Sequence, residues 1–180
     1  SAVLTILAGV VKFNSSLRSI KVSAMDDAAA TKFYKAVREN VALEHLDISE
    51  ECQAGPLGVA RLSEAVRDHP SLVTFKLDGA ALSVPQVRGA KRTDSRLDVG
   101  DWGLGPLSGY AIGVIANRST SHTEMDLKGN ALGADGAAAV VDGLSDAPIR
   151  VLDLSRNALS AVEGGADVVA PAADGDGGGG

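Results

Sequence analysis

The sequence predicts an α/β fold: a right-handed β-α superhelix of about six repeats, bent into a horseshoe arc with a parallel concave sheet and convex helices. The main observation is a repeated segment in the 180-residue chain. H-T-E-M-D-L-K-G-N-A-L, starting at His122, returns 27 residues later as I-R-V-L-D-L-S-R-N-A-L. Both copies carry apolar residues at relative positions 4, 6 and 11 and Asn at position 9. A fixed period of this length is typical of a solenoid.

Six predicted strands follow from the same spacing carried back along the chain. The copies start at residues 17, 43, 72, 94, 122 and 149, so successive spacings are 26, 29, 22, 28 and 27. Each copy alternates around two apolar positions, 4 and 6, as expected for a short strand with one buried face. These pairs are Ile20 and Val22, Leu46 and Ile48, Phe75 and Leu77, Leu97 and Val99, Met125 and Leu127, and Leu152 and Leu154.

Helices are predicted between the strands, because apolar residues recur there at i, i+3 and i+4. Residues 28–39, 57–68 and 107–117 show this spacing, and the first eleven residues are predicted to be a helix with Val3, Leu7 and Val10 facing inward. Residues 83–93 are too short and too rich in proline and glycine for more than one helical turn. The inward faces of the later helices are predicted to be Ala29, Phe33, Ala36 and Val37, then Leu57, Ala60, Ala65 and Val66, then Leu107, Tyr110, Ala111, Val114 and Ile115.

The domain organisation follows from these elements. Strands that alternate with helices in one sense form a parallel sheet with right-handed crossovers. Strands stack about 4.8 Å apart but helices are about 10 Å wide, so the array must curve with its strands inside. Residues 1–170 are predicted to be the solenoid, interpreted as a fragment of a longer array because it starts within a helix. Glycine and proline weaken the last helix, and residues 171–180 are predicted to be a flexible glycine-rich tail.

The pattern L-x-x-L-D-L-x-x-N-x-L followed by G-A-x-x-x-A-x-x-L resembles the ribonuclease-inhibitor subtype of leucine-rich repeat. The resemblance covers about residues 1–170 and is most specific at 125–144 and 152–159. It implies a protein-binding arc in which the position-9 Asn bonds to neighbouring turns. Only Asn130 and Asn157 keep that residue, so we expect an irregular set of turn bonds over the first four repeats. The residues in its place are Met25, Glu51, Ala80 and Trp102.

Bulk composition narrows the function classes. The formal charge of −6 argues against nucleic acid as the main partner, because phosphate binding needs clustered Lys and Arg. The single cysteine, Cys52, excludes an internal disulfide and favours a reducing, cytoplasmic compartment. A membrane span is not expected, because there is no run of 18 apolar residues. The apolar first eleven residues lack the basic leading segment of a signal peptide.

Position 5 of each repeat points out of the predicted concave sheet and forms a column of charged residues. Its last three members are aspartates, which strand spacing places about 5 Å apart. We expect such proximity to raise the carboxylate pKa values and to attract a basic partner or a cation. The alternative is that Asp occupies this position simply because the position is exposed. The column is Lys21, Asp47, Lys76, Asp98, Asp126 and Asp153.

The predicted partner-binding surface adds three residues to this column. Trp102, the single Trp, is either an exposed anchor or a buried filler of the missing Asn slot, and we favour burial. Glu124 and Arg150 complete the set beside Asp47, Lys76, Asp98, Asp126, Asp153 and Trp102.

Catalytic and cofactor sites are not expected. The histidines lack metal-ligand spacing, and Cys52 has no His in register for a dyad. The glycine-rich segment 103–109 lacks the Lys-Ser/Thr of a phosphate loop, and Pro106 removes one N–H, so we interpret it as a turn and helix cap.

The favoured function is therefore a protein-interaction module or scaffold, not an enzyme, that binds another protein through the concave sheet and adjoining loops. The resemblance offers a second hypothesis, regulation of a small GTPase, for which no arginine can be assigned. A third is a structural segment of a larger sensor or cytoskeletal assembly. The partner's identity does not follow from the sequence.

Overall fold

The computed structural model describes residues 2–90 and 95–160, and within them the chain is an α/β structure with six helices and seven short strands. Their order is α1 (Ala2–Phe13), β1 (Ser19–Lys21), α2 (Asp27–Glu39), β2 (His45–Asp47), α3 (Pro56–Asp68), β3 (Thr74–Lys76), β4 (Leu82–Ser83), α4 (Val84–Val87), β5 (Arg96–Asp98), α5 (Pro106–Ala116), β6 (Glu124–Asp126), α6 (Gly133–Gly143) and β7 (Val151–Asp153). The predictions for residues beyond 160 lie outside this part of the chain.

The strands form two sheets, which contradicts the predicted single concave sheet. β1, β2 and β3 pair in parallel, and β4 adds to the edge of β3 in the antiparallel sense. β5, β6 and β7 form a second sheet that is parallel throughout. Neither sheet closes, and the described ranges show no evident solenoid of six repeats. The predicted horseshoe superhelix is therefore wrong, while the α/β composition is confirmed.

The break between the sheets has a local cause in β4. Thr74 pairs with Ser83 and Phe75 with Leu82, so the edge of β3 is already hydrogen-bonded before β5 begins. Val84 extends this pairing by donating its N–H to the Val73 carbonyl at 2.9 Å. The single helical turn predicted after residue 83 is confirmed as α4, although residues 91–94 are not among those described. The shortest spacing between repeats, 22 residues from 72 to 94, falls at this point of the sequence.

The six predicted strands are all present, each starting one residue earlier than expected. Leu97, Met125 and Leu152 lie opposite one another, which confirms the predicted adjacency of these three strands. The apolar residues at positions 4 and 6 turn inward in every copy and are buried, except that the last pair is half-buried. Because side chains alternate along a strand, position 5 must face the other way.

The helices pack side by side in the order α1, α2, α3, α5 and α6. One apolar core runs beneath both sheets and all five helices. The predicted inner face of α2 is confirmed, but Leu57 and Val10 are exposed, not buried. Val10 faces solvent because α1 stands at the end of the layer and packs against α2, and Val11 is buried in its place. Within the described residues, no helix combines the length and apolarity needed to cross a bilayer.

The three helix-to-strand turns that follow α1, α2 and α3 are held by the same kind of side-chain-to-backbone hydrogen bond. The residue that forms it stands at the same place in each repeat. Asn14, Asn40 and His69 each stand three residues before a repeat begins. Each side chain accepts hydrogen bonds from backbone N–H groups two and three residues later, at 2.7–3.3 Å. His69 accepts through Nδ1, so its proton is on Nε2 and the buried ring is neutral. This bond orients each strand after its helix.

The strand-to-helix turns of the second sheet are held by asparagine. Asn130 Nδ2 donates to the carbonyls of Val99 and Leu127, at 2.9 and 2.8 Å. Its Oδ1 accepts from the N–H groups of Trp102 and Leu104, both at 3.0 Å. All four hydrogen-bonding positions of this buried amide are thus used.

Asn157 repeats the arrangement one turn later, with bonds to the carbonyls of Leu127 and Leu154. The predicted role of both asparagines is confirmed. At the equivalent place in the first repeat, Met25 is fully buried and contributes an apolar side chain instead.

Glycines allow α5 and α6 to approach each other closely. A Cβ at Gly109 would lie 2.5 Å from the carbonyl oxygen of Gly136, and one at Gly113 would collide with the carbonyl oxygen of Ala139. Gly9 of α1 is different, because a Cβ there would meet nothing within 4 Å. The two helices therefore touch through backbone, and this spacing depends on the absence of a side chain.

We predict that Gly113→Ala lowers the free energy of unfolding by about 2 kcal/mol, because overpacking forces the two backbones apart. Gly9→Ala is the matched control and should raise it by about 0.5–1 kcal/mol, because Ala favours a helix interior where space is available. Urea unfolding measures both. Equal effects of the two substitutions would contradict the described contact.

We also predict a pH dependence that belongs to His69. Burial, and then the nearby Arg88 guanidinium, lower the pKa of His69 below its ordinary value of 6.5, although a backbone hydrogen bond with Asn40 opposes this. The unfolded chain then binds a proton at His69 that the folded chain does not. Stability should therefore fall as the pH falls from about 7 to about 5.

The variant His69→Asn separates this contribution from other titrations, because Asn keeps the acceptor that Asn14 and Asn40 use. Its free energy of unfolding, from urea titrations at both pH values, should change less with pH than that of the unsubstituted protein. Parallel pH profiles would mean that His69 is not held neutral.

Candidate functional site

The outward side of the two sheets carries the predicted charged column, split into two groups of three. Lys21, Asp47 and Lys76 lie opposite one another on β1, β2 and β3. Asp98, Asp126 and Asp153 do so on β5, β6 and β7. The structure thus places three aspartates in register, and it places Asp47 and Lys76 on the other sheet.

The first group alternates in charge. Asp47 stands between Lys21 and Lys76, and Lys21 also pairs with Glu50 at 3.0 Å. Partial burial acts to raise the pKa of the Asp47 carboxyl, but hydrogen bonds from Ser49 and the two lysines outweigh it, so that the pKa is lowered. Opposite charges therefore flank this carboxylate on both neighbouring strands. The face of this sheet is close to neutral.

The second group belongs to an acidic cluster, defined here as Asp98, Glu124, Asp126 and Asp153. Three of its carboxylates lie within 4 Å of the guanidinium of Arg96. Arg96 Nη2 donates to Asp126 Oδ2 at 2.9 Å. The same guanidinium lies 3.6 Å from Asp98 Oδ2 and 3.8 Å from Glu124 Oε2. Arg96 itself stands on β5, directly opposite Glu124. One cation is therefore shared among three carboxylates.

Asp153 is stabilised as a carboxylate by the turn after β7. Its Oδ1 accepts hydrogen bonds from Ser155 Oγ at 2.6 Å and Ser155 N at 2.9 Å. These bonds, with smaller contributions from Lys128 and Arg96, lower the pKa of Asp153. The raised pKa predicted from aspartate proximity is wrong for Asp153, because the two Ser155 donors act more strongly than exposed like charges about 5 Å apart. Asp153 therefore keeps its negative charge to a lower pH than an ordinary aspartate does.

Trp102 lies in the turn after β5 and is 36% exposed, so the prediction of a buried indole is wrong. The reason is the adjacent turn. Asn130 reaches across and binds the backbone N–H of Trp102 at 3.0 Å, so the turn does not need the indole as a filler. The ring is held by a fixed backbone and presented to solvent beside the acidic cluster's first strand.

Arg150, the remaining predicted residue, immediately precedes β7 and is exposed. Its backbone N–H donates to the Thr123 carbonyl at 2.7 Å, which places it at the start of the β6–β7 pairing. Of the predicted site residues, the structure brings together the four acidic ones, Asp98, Glu124, Asp126 and Asp153. Trp102 follows the carboxyl end of β5, and Arg150 precedes the amino end of β7.

Chemical groups for catalysis or metal binding are sparse on this face. In the part of the chain that the structure describes, no group of three or more His, Cys, Asp or Glu is placed to hold a metal ion. Cys52 is half-buried, and burial raises the pKa of its thiol, with a smaller opposing bond from Ala54. His45 Nδ1 lies 2.8 Å from Thr74 Oγ1 across the first sheet.

The turn-and-cap interpretation of the glycine-rich segment 103–109 is confirmed. Asp78 binds the first turn of α5 through its carboxylate, which accepts from the N–H groups of Leu107 and Ser108 at 2.7 and 2.8 Å. Gly105 also donates its N–H to the Asp78 carbonyl. The donors that would bind a phosphate are thus already occupied.

The sequence interpretation overlooked a group of arginines on the helix side. Arg38, Arg67 and Arg118 line one cleft, away from the acidic cluster. The available signal was periodic: each of them stands four or five residues before a repeat begins.

Comparison with known proteins adds no assignment. No family model matches the chain, and no curated protein matches it.

We predict that Ser155→Ala raises the pKa of Asp153, because it removes the hydroxyl donor to that carboxylate. A carboxyl-carbon NMR titration measures it. Ser49→Ala is the matched control, since Ser49 binds Asp47 in the same way on the other sheet. It should raise the pKa of Asp47 and leave that of Asp153 unchanged; an unaltered Asp153 in Ser155→Ala would contradict the account.

Proposed function

We propose that this chain is a protein-interaction module that binds a basic segment of another protein through the acidic cluster and Trp102. The observation that carries the proposal is the set of four carboxylates on one sheet, Asp98, Glu124, Asp126 and Asp153. The first three of them lie 2.9–3.8 Å from the Arg96 guanidinium.

The charge balance of this face supports a cationic partner. Four carboxylates against Arg96 and Lys128, whose charge also acts on Asp153, leave a local charge of about −2, from −4 + 2. A surface potential of this sign steers a basic partner and favours its orientation. Lys or Arg of the partner can replace Arg96 as the donor to Asp98 and Glu124, whose contacts with Arg96 are long. Because the cluster is exposed, salt should weaken the association.

Trp102 supplies the apolar contact that charges alone lack. Tryptophan is enriched among the residues that dominate binding energy, since a large ring removes much apolar surface from water. The indole is presented by a turn that Asn130 holds in place, so little conformational freedom is lost on binding. We infer that Trp102 packs against the partner at the border of the acidic cluster.

The motif resemblance to leucine-rich repeats of the ribonuclease-inhibitor subtype supports a binding role, because protein recognition is what that family implies. It stays a prediction. The lowered pKa of Asp153 also fits binding better than acid–base chemistry at that carboxylate, because the Ser155 hydrogen bonds favour the ionised form and a general acid requires a proton.

The test is affinity capture from the source cells with the unsubstituted protein and with the variant Asp98→Asn/Asp126→Asn/Asp153→Asn, followed by mass spectrometry. The three amides keep the shape of the carboxylates and remove their charge. We expect basic proteins captured by the unsubstituted chain to be depleted about tenfold or more by the variant. Trp102→Ala should deplete the same proteins.

The matched control is Asp135→Asn/Asp142→Asn/Asp146→Asn. It changes the net charge equally, but its three exposed carboxylates lie on α6 and the turn that follows. Capture by this control should resemble that of the unsubstituted chain. If the cluster variant and the control give the same profile, the acidic cluster is not the binding surface.

A further inference from the structure

The helix side of the molecule contains a cleft of about 270 Å³ that is lined by three arginines. α2 provides one wall and α3 the other, and Arg118 closes one end just after α5. The lining residues are Tyr34, Arg38, Glu64, Ala65, Arg67, Asp68 and Arg118. This cleft is separate from the strand side that carries the acidic cluster, so its function is independent of the one proposed above.

Arg67 forms the rigid floor of the cleft. Its side chain is only 8% exposed. Nε and Nη2 donate to the two carboxylate oxygens of Asp68, at 2.9 and 3.1 Å. Nη1 donates to Asn117 Oδ1 at 3.2 Å and to the Val114 carbonyl at 3.4 Å. Four of its five N–H donors are therefore used, and the guanidinium is fixed in place.

Arg38 and Arg118 keep most of their donors available. Arg38 Nη1 donates to Tyr34 Oη at 2.9 Å, which holds the guanidinium near the Tyr34 ring. Arg118 Nη1 lies 3.5 Å from Asp68 Oδ1, and the side chain is 69% exposed. Asp68 is already bound by Arg67 on both oxygens. The two outer arginines thus offer several N–H groups to a molecule in the cleft.

The charge of the lining is positive although the chain is acidic overall. Three arginines and two carboxylates give +1, from +3 − 2, within a chain of −6. The pKa of Asp68 is lowered, first by its hydrogen bond from Arg67 and then by the charges of Arg67, Arg118 and Arg88, although partial burial opposes this. The lining of the cleft therefore keeps a net positive charge even though Asp68 is ionised.

We propose that this cleft binds a phosphate monoester through Arg38 and Arg118. A phosphate monoester carries three terminal oxygens and a charge between about −1.5 and −2. Guanidinium groups bind such oxygens with paired, charge-assisted hydrogen bonds. A planar carboxylate offers only two oxygens, and so uses the N–H groups of two separate arginines less fully. The cleft is at the small end of ligand pockets, which suits a single phosphorylated group.

The test is an NMR titration of the arginine Nε–Hε signals with O-phosphoserine, with glycerol phosphate and with acetate as separate probes. We expect saturable shifts of the Arg38 and Arg118 signals with both phosphate esters. Tighter binding of a phosphoserine peptide than of glycerol phosphate would identify a modified protein as the source of the group, and the reverse a small metabolite; both support the proposal.

The variant Arg38→Gln/Arg118→Gln should weaken phosphate-ester binding by about tenfold or more, through the loss of charge-assisted bonds. Both side chains are exposed, so the fold should tolerate the change. Two controls accompany it. Arg61→Gln removes a positive charge from exposed α3 surface outside the cleft and should leave the affinity nearly unchanged, and Glu64→Gln removes a lining carboxylate and should raise it.

Absence of saturable binding by either phosphate ester would overturn the proposal. So would equal affinities of the double variant and Arg61→Gln, or acetate binding as tightly as O-phosphoserine.

Discussion

The pair of buried apolar residues in each short strand is the constraint on which the rest of the structure depends. Side chains alternate along a strand, so burying positions 4 and 6 leaves position 5 facing solvent. A shift of one residue would bury the charges and expose the apolar pairs. Parallel pairing in register then stacks the outward residues of neighbouring strands. The alignment of the three aspartates is therefore a consequence of core formation. It does not by itself require a functional role for them.

Sequence reasoning succeeded where the determinants are local. The apolar spacing located all six expected strands within one residue, and the turn roles of Asn130 and Asn157 followed from the repeat motif. It failed for the sheet as a whole. Two residues, Leu82 and Ser83, turn back along β3 and take the hydrogen bonds that a continuous sheet would have offered to β5. Competition for an edge depends on long-range geometry, which a periodic pattern does not contain.

The candidate site was predicted as a set of residues and not as an electrostatic environment. The register of Asp98, Asp126 and Asp153 could be read from the spacing. The lowered pKa of Asp153 could not, because it depends on the side-chain direction of Ser155, which the spacing does not give. Arg96 was not among the predicted site residues, yet its guanidinium lies among three carboxylates. Trp102 was assigned to a slot that Asn130 serves from the next turn.

The two sides of the molecule differ in charge because their charged residues come from different positions in the repeats. The acidic cluster takes Asp98, Asp126 and Asp153 from position 5 of the last three repeats and Glu124 from position 3. The helix side collects arginines near the carboxyl ends of α2, α3 and α5, where a positive charge also stabilises the helix dipole. Arg67 and Arg88 serve that structural purpose, with bonds to the carbonyls of Val114 and Val66. Arg38 and Arg118 each make one polar side-chain contact within the described residues, and we propose that they bind the phosphate group.

The most direct test of the account is a set of backbone NMR contacts between strands. The two-sheet arrangement predicts short amide-to-Hα contacts across β5–β6 and β6–β7, around Leu97, Met125 and Leu152. It predicts antiparallel contacts between Phe75 and Leu82, with none across from Phe75 to Leu97. Backbone contacts between Phe75 and Leu97, without those between Phe75 and Leu82, would contradict the break between the sheets and the confinement of the acidic cluster to one of them.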